Sequence, residues 1–372
     1  MPLAPLDLSA DGVALTAALV DVWSVSGDED PLADLVETAL RGLGGPLAVE
    51  RDGNVVLART DGLGTGRIAL AGHLDTVPVA DNFPSRLEGD RLWGCGSTDM
   101  KSGLAVMLRI AAAVARGDLR PAVDLTWVFY DGEEVDASRN GLGRLARERP
   151  DVLAADAAVL LEGTDGLVEG GCQGTVRAVA TAAGHRAHAA RSWKGDNAIH
   201  RLAPVLARLA AYEPRVVDID GLTYREGVNA VRVDGGVAGN VIPDGATVTV
   251  NHRFAPDRTV EQASALLVEL CTAPGVTVEI VDAAPAAPPG LSTPFARALV
   301  AGTRGPARAK FGWTDVARFT ELGVPALNFG PGDPELAHTR EEYVTTSRIA
   351  EVEAVLTQTL ASVELELSPP AR

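Results

Sequence analysis

Apolar residues fall in short dense runs separated by polar and glycine-rich breaks, and the spacing inside the runs changes along the chain. The continuous runs are VVLA at 55–58, RIALA at 67–71, VDLTWVFY at 123–130, AAVLL at 157–161 and, much later, ALNF at 326–329. Four to eight residues of this kind are short for a buried helix and lack the alternation of a sheet with one wet face. They read as strands covered on both sides. Residues 103–115 and 141–147 carry helical spacing between them, and residues 11–43 read as helix, loop, helix, broken around SGDED. Strands alternating with helices predict an α/β domain with a largely buried sheet.

The middle of the chain changes period. Residues 175–183 alternate as a half-buried strand does, 198–211 read as a helix closed by Pro214, and 228–233 and 246–254 read as strands around the turn-rich GGVAGNVIPDG. A helix over 259–271 and a strand over 276–281 complete the order β-α-β-β-α-β, the ferredoxin-like split unit. The unit begins after GGCQG (170–174) and ends at the Pro-rich AAPAAPPG (283–290). The expected architecture is therefore two-domain α/β, with residues 1–174 and 290–372 forming one domain and 175–289 inserted as a smaller one. A length of 372 residues agrees, since single cores stop growing at roughly 250–300 residues.

Charge removes several classes of partner. A net charge of −17 argues against nucleic acid and anionic membrane, both of which need a basic surface. The longest helical apolar stretch, 103–115, is interrupted by Arg109 and is shorter than the ~20 residues of a membrane span. Three scattered cysteines, Cys95, Cys172 and Cys271, suit neither a disulfide framework nor a thiolate metal site. The opening MPLAPLDLSADG lacks the basic and apolar regions of a secretion signal. A cytoplasmic protein is expected.

The candidate chemistry collects where the apolar runs end. RIALAG leads into His73 and Asp75, VDLTWVFY into Asp131, Glu133 and Glu134, AAVLL into Glu162, and PALNFGPG through a short loop into His338. In an open α/β sheet the binding crevice lies beyond the carboxyl ends of the strands, so four segments deliver histidines and carboxylates to one edge. Asp75, two residues after His73, is expected to accept the second imidazole proton and fix the tautomer. Asp99 lies in GCGSTDMKSG, where capping of a helix from Ser102 is the plainer reading; no Gly-Lys-Ser/Thr ending is present to make it a phosphate loop. Asp131-Gly-Glu133-Glu134 places three carboxylates together without a nearby base, a repulsion that a cation relieves. Two histidines and several carboxylates without cysteine suit a two-metal site. His200 and His252 read as structural, and pattern alone assigns no role to His185 or His188.

At these residues the sequence resembles the M20-type dinuclear zinc metallopeptidases and deacylases, the family that includes acetylornithine deacetylase, aminoacylase and succinyl-diaminopimelate desuccinylase. GHLDTVP, WGCGSTDMKSG, FYDGEEV, LLEG and AHTREEYV stand in the family's order over essentially the whole chain. The resemblance implies a metallopeptidase-like catalytic domain whose insertion is a lid and homodimerisation domain. It implies two divalent ions, zinc first and cobalt as the alternative, with His73 and Glu162 on one, Glu134 and His338 on the other, and Asp99 bridging. Glu133 would be the general base, Asp75 would orient His73, and His188 would reach the neighbouring subunit's site to steady the oxyanion. Asn240 and Arg253 match substrate-contacting positions, and the guanidinium of Arg191 is a further candidate for a substrate carboxylate. WGCGSTDMKSG and EGGCQGTVR are similar to the actinobacterial desuccinylase branch, which implies a small acylated amino acid, N-succinyl-LL-2,6-diaminopimelate, as substrate. Acetylornithine, acyl amino acids or peptides are the alternatives within the family. Cys95, where many relatives have Arg, and Leu74, where a polar residue is usual, are departures that touch no implied ligand.

Overall fold

The structure, a computed structural model, describes residues 3–363 and 365. The chain divides into two compact units. One comprises the chain up to Gly170, Gly290–Arg308 and the part from Asp315 onward; the other comprises Gly171–Pro289 and Ala309–Thr314. The second unit thus takes residues 171–174 and 309–314, which the sequence reading left with the first.

The first unit is built on an eight-stranded sheet in the order Ala48–Asp52, Val55–Arg59, Asp124–Tyr130, Arg67–His73, Ala157–Leu160, Ala326–Asn328, Glu169–Gly170, Arg308–Ala309. Arg67–His73 runs parallel to both Asp124–Tyr130 and Ala157–Leu160, and Ala326–Asn328 runs parallel to Ala157–Leu160. These four central strands are the continuous apolar runs of the sequence, and nearly all their residues are buried. Val55–Arg59 and Ala48–Asp52 continue the sheet antiparallel at one edge. Because the four central strands point the same way, His73 and the segments after Tyr130, Leu160 and Asn328 all leave the sheet at one end.

Helix Ser102–Arg116 packs on this sheet and is buried along most of its length. Its approach needs Gly103, since a Cβ there would lie 2.1 Å from the Leu161 carbonyl oxygen. Helix Thr346–Ser362 buries Ile349, Val352, Leu356 and Leu360, a stripe at helical spacing. A small sheet of Arg86–Glu88, Arg91–Trp93 and Tyr343–Thr345 lies beside the Ser97–Lys101 turn. No helix among the described residues is long and apolar enough to cross a membrane.

The second unit contains a four-stranded antiparallel sheet in the order Gly227–Gly235, Gly245–Phe254, Gly174–Ala183, Val276–Ala284. Val176, Ala178, Ala180 and Ala182, every second residue of one central strand, pack with Leu202, Val205 and Leu209 and with Ala263, Leu267 and Cys271 of helix Val260–Cys271. Thr259 caps that helix in a reciprocal box with Gln262. The helix expected over 198–211 is two pieces, Ala198–Arg201 and Ala203–Ala211, with Pro204 in the first turn of the second. A hairpin of Val216–Ile219 and Leu222–Arg225 is an addition that the sequence reading lacked. The edge strand Gly227–Gly235 leaves Val231 58% and Val233 54% exposed.

Candidate metal centre

His73 closes the strand Arg67–His73 and is buried. Its Nδ1 meets the carbonyl oxygen of Asp75 at 2.9 Å, while the Asp75 carboxylate is 3.5 Å away. The expected pairing with the Asp75 carboxylate is present at ion-pair range, the backbone of Asp75 lies closer to the imidazole, and the carboxylate has further partners. Its Oδ1 accepts the Glu133 N–H at 3.0 Å, and its Oδ2 accepts the Glu134 N–H at 3.0 Å and the Ser26 hydroxyl at 2.7 Å. Burial opposes ionisation of Asp75, but His73, Ser26 and the Glu134 N–H outweigh it and hold the group at about 2.

Asp99 sits in the Ser97–Lys101 turn, entered through Gly96 at φ 82°, a left-handed backbone that glycine adopts without strain. It does not cap the following helix; the cap position is Lys101, with no side-chain bond. The Asp99 carboxylate instead lies between the two histidines, Oδ1 3.0 Å from His73 Nε2 and Oδ2 3.3 Å from His338 Nε2. His338 Nε2 also meets Glu134 Oε1 at 2.9 Å. Hydrogen bonds with Asp99 and Glu134 push His338 up to about 11 against the effect of burial. Burial alone would lower His73, yet Asp75 and Asp99 hold it well above its ordinary value.

Two donor triads result. The ligand atoms of His73, Asp99 and Glu162 lie within 4.8 Å of one another, as do those of Asp99, Glu134 and His338, so Asp99 belongs to both. His73, Glu133 and Glu134 form a third such group. Burial, with Glu162, Asp315 and Glu134 nearby, raises the Glu133 carboxyl well above the usual carboxylate range, although His73 lowers it. The seven residues His73, Asp75, Asp99, Glu133, Glu134, Glu162 and His338 come from five segments of the first unit.

The remaining candidates lie in the second unit. His188 is exposed, pairs through Ala187–His188 with Val241–Ile242, and accepts the Ala190 N–H on Nδ1 at 3.0 Å. Arg191 follows in the Ala189–Lys194 turn, and the Asn240 carbonyl accepts the Ala189 N–H at 2.8 Å, so these three share one local structure. Arg253 is elsewhere, opposite Thr175 and Gly227 near the far end of strand Gly245–Phe254. His252 is buried in this unit, as its strand position suggested.

Two side chains that support the first-unit cluster were not picked out from the sequence. Ser26 bonds to Asp75 across 49 residues of chain. Glu342, in AHTREEYV, accepts the backbone N–H groups of Thr98 and Asp99 at 2.9 and 3.1 Å. Burial pushes Glu342 up to about 7, although these N–H groups and that of Gly96 pull the other way. The only signal was position, since Glu342 lies four residues beyond His338.

Comparison with known proteins agrees with this arrangement. The model of peptidase family M20/M25/M40 matches residues 69–362. A Mycobacterium tuberculosis protein named as a succinyl-diaminopimelate desuccinylase, DapE, is 58% identical over 344 residues, covering 92% of this chain and 96% of its own. The Corynebacterium glutamicum succinyl-diaminopimelate desuccinylase is 50% identical over 362 residues, covering 96% of this chain and 98% of its own. Among solved structures, aminopeptidase PepT from Bacillus cereus superposes with a TM-score of 0.75 at 18% identity, covering 96% of this chain and 98% of its own. A Bacillus subtilis dinuclear metal binding peptidase from the M20 family superposes at 0.68 with 16% identity, covering 94% and 96%. At those identities the two structures speak for the fold alone.

Proposed function

The chain belongs to peptidase family M20/M25/M40, and from that premise we propose that it is a metal-dependent amide hydrolase that releases succinate from N-succinyl-LL-2,6-diaminopimelate, the activity its 58% and 50% identical relatives are named for. The observation that carries the chemistry is the shared Asp99, which joins two three-residue donor sets at one end of a parallel sheet. The donor chemistry fits a pair of cations. In the chain by itself the carboxylates draw both histidines toward the imidazolium form, the behaviour expected where positive charge is needed. His73, Asp99 and Glu162 would hold one ion, and Asp99, Glu134 and His338 the other. Imidazoles and carboxylates without thiolate suit zinc, with cobalt as the alternative. Bound there, the ions would polarise the amide carbonyl and acidify the attacking water from ~15.7 towards ~7.

The chain's own groups then have distinct tasks. Glu133, raised by burial and its acidic neighbours, takes a proton from water as the oxygen attacks the amide carbon. It returns that proton to the departing nitrogen as the C–N bond breaks, leaving succinate and the free diamine; such transfer contributes roughly 10²–10⁴-fold. Asp75 aims this base by holding the N–H groups of Glu133 and Glu134.

His188 would steady the oxyanion from a second subunit, with Asn240, Arg191 and Arg253 contacting substrate. Support for the two-copy arrangement comes from spacing within the second unit. Asn240 and His188 flank the start of strand Gly245–Phe254 and Arg253 lies near its end, a separation of roughly 27 Å at ~3.4 Å per residue. That spacing supports a reading in which the two groups reach one substrate from different copies of this unit. The unpaired edge Gly227–Gly235, with Val231 and Val233 exposed, is a surface through which two copies would pair. A cytoplasmic location is part of the proposal, and the three buried cysteines are not joined by disulfides.

The test is kcat/KM for succinyl-diaminopimelate beside acetylornithine, with metal content determined on the same sample. A site that pairs a guanidinium with the distal succinyl carboxylate discriminates by up to ~10⁴ against acetyl, and Arg253→Ala should erode that preference. Equal values for the two substrates would remove the desuccinylase reading and leave the hydrolase.

A further inference from the structure

We infer that Glu342 is a positioning residue that presents Asp99 to both donor triads by holding the backbone of its turn. The inference rests on the metal centre proposed above. Glu342 is 1% exposed, and its Oε1 takes the N–H groups of Thr98 at 2.9 Å and Asp99 at 3.1 Å. Those donors need an outside acceptor. Within the Ser97–Lys101 turn Asp99 stands at φ −122°, ψ 92° and Met100 at φ −134°, ψ 35°, so regular helical bonding is interrupted at the residue whose side chain matters. A buried N–H left without a partner costs ~1–3 kcal/mol, and the turn would shift to avoid it.

The tie is wider than one carboxylate. Gly94 N–H donates to the Glu342 carbonyl at 3.1 Å, the Thr98 hydroxyl donates to the Tyr343 carbonyl at 2.8 Å, and Asn82 Nδ2 donates to the Thr339 carbonyl at 3.2 Å. The Cys95 N–H in turn donates to the Asn82 carbonyl at 2.8 Å, so Asn82, residues 94–99 and residues 339–343 are cross-linked as one piece, and His338 is the residue immediately before residue 339. Asp99 and His338 approach each other to 3.3 Å through side chains carried on these two segments. Glu342, bonded at the Asp99 end and four residues from His338, sets that separation. A carboxylate shared between two ions tolerates little error, and partners that orient a ligand typically carry 10–100-fold of metal affinity.

A structural role alone would change stability and leave affinity untouched, so the two must be read separately. Chelator-treated parent, Glu342→Gln, Glu342→Asp and Glu342→Ala are titrated with Co²⁺, following the d–d absorption and free Co²⁺, and the metal-free forms are melted in parallel. Gln keeps an oxygen in the same place and should bind both equivalents within about threefold of the parent, with an unchanged band. Asp keeps the charge but loses the reach, and should weaken binding about 10–100-fold with an altered band, as Ala should. Co²⁺ bound by Glu342→Asp as tightly as by the parent would overturn the inference. So would a Gln variant as weak as Ala, because charge and not placement would then be responsible. If Ala fails to fold, the Asp and Gln pair still decides. A parent that binds no Co²⁺ would instead remove the metal centre itself, and this inference with it.

Discussion

Asp75→Asn tests the atomic account of the centre most directly, because its carboxylate faces His73 as expected and also holds partners that the sequence reading did not foresee. Its carboxylate accepts three hydrogen bonds, from the Glu133 and Glu134 N–H groups and the Ser26 hydroxyl. An asparagine offers one oxygen and one NH₂ group. The NH₂ must face a backbone N–H, leaving one donor orphaned in a buried place at a cost of ~1–3 kcal/mol. The charge gives a second, overlapping figure. Asp75 is held at about 2 against an ordinary value of 3.8, and that gap corresponds to roughly 2 kcal/mol of stability. His73 supplies the largest part of that depression, and Ser26 and the Glu134 N–H count in both figures, so the expected loss at pH 7 is about 2–4 kcal/mol and not their sum. The sign follows from a depressed carboxylate: its contribution is present above the unfolded value near 3.8 and disappears as pH falls through about 2. The assay is urea unfolding of the metal-free parent and variant at pH 7, 5 and 3.5. The gap should be equal at the first two and smaller at the third. His73 keeps its bond to the Asp75 carbonyl in the variant, so activity should fall through a displaced Glu133, about 10–100-fold in kcat with a smaller change in KM. A stability loss below about 0.5 kcal/mol at pH 7 would refute the reasoning, since the carboxylate would then not be organising the turn.

Glu133→Gln should keep both metals and the fold and lose about 10²–10⁴ in kcat; near-parental turnover would remove the base assignment. Chelator should abolish activity and zinc restore it, while His73→Ala and His338→Ala should each lose tight binding of a different equivalent; two equivalents held at parental affinity in both variants would make the triads wrong. His338, pushed up to about 11, and His73, held well above its usual value, carry protons in the metal-free chain at pH 7. Metal must displace those protons, so affinity should rise with pH by about tenfold per unit for each proton released; Co²⁺ addition that releases no protons into weak buffer would contradict this. Mixing His188→Ala with Glu133→Gln should restore some activity, because one site of the heterodimer then has both groups, and verified heterodimers with no recovery would place His188 outside the partner's site.

Much of the fold was legible because the signals were local. The run at 123–130 becomes strand Asp124–Tyr130, and the helical spacing at 103–115 becomes helix Ser102–Arg116. Both are long enough for period to decide between strand and helix. The elements that were missed are short or exposed. Arg86–Glu88, Arg91–Trp93 and Tyr343–Thr345 are three residues each, held by stacking of Trp93 on Tyr343 at 4.7 Å and by Arg86 and Arg91 over those rings at 4.8 and 4.5 Å. Contacts between distant segments leave no period to read. The small hairpin 216–225 failed for a different reason: Val216–Ile219 carries no buried residue, and the alternation of Leu222 and Tyr224 spans only four residues.

The cluster was legible for the same reason as the strands it follows. A parallel sheet brings its carboxyl ends together, so identifying the central strands was enough to bring His73, Glu133, Glu134 and Glu162 to one edge without knowing any distance. What could not be read was which atom of a residue does the work. Spacing of two in an extended segment puts His73 and Asp75 on one side, and that suggested a carboxylate on the imidazole. The strand ends at His73, however, and the chain turns to pair near Thr76 with Ser24 and Val25. The turn brings the Asp75 carbonyl back to Nδ1 and turns the carboxylate, still 3.5 Å from that nitrogen, toward the Glu133–Glu134 corner as well. Glu342 escaped notice similarly, because its partners are backbone N–H groups 243 and 244 residues away and carry no side-chain signature. In this centre His73, Glu133, Glu134 and Glu162 follow from where strands end. The groups that aim them follow from where loops meet, which depends on tertiary packing.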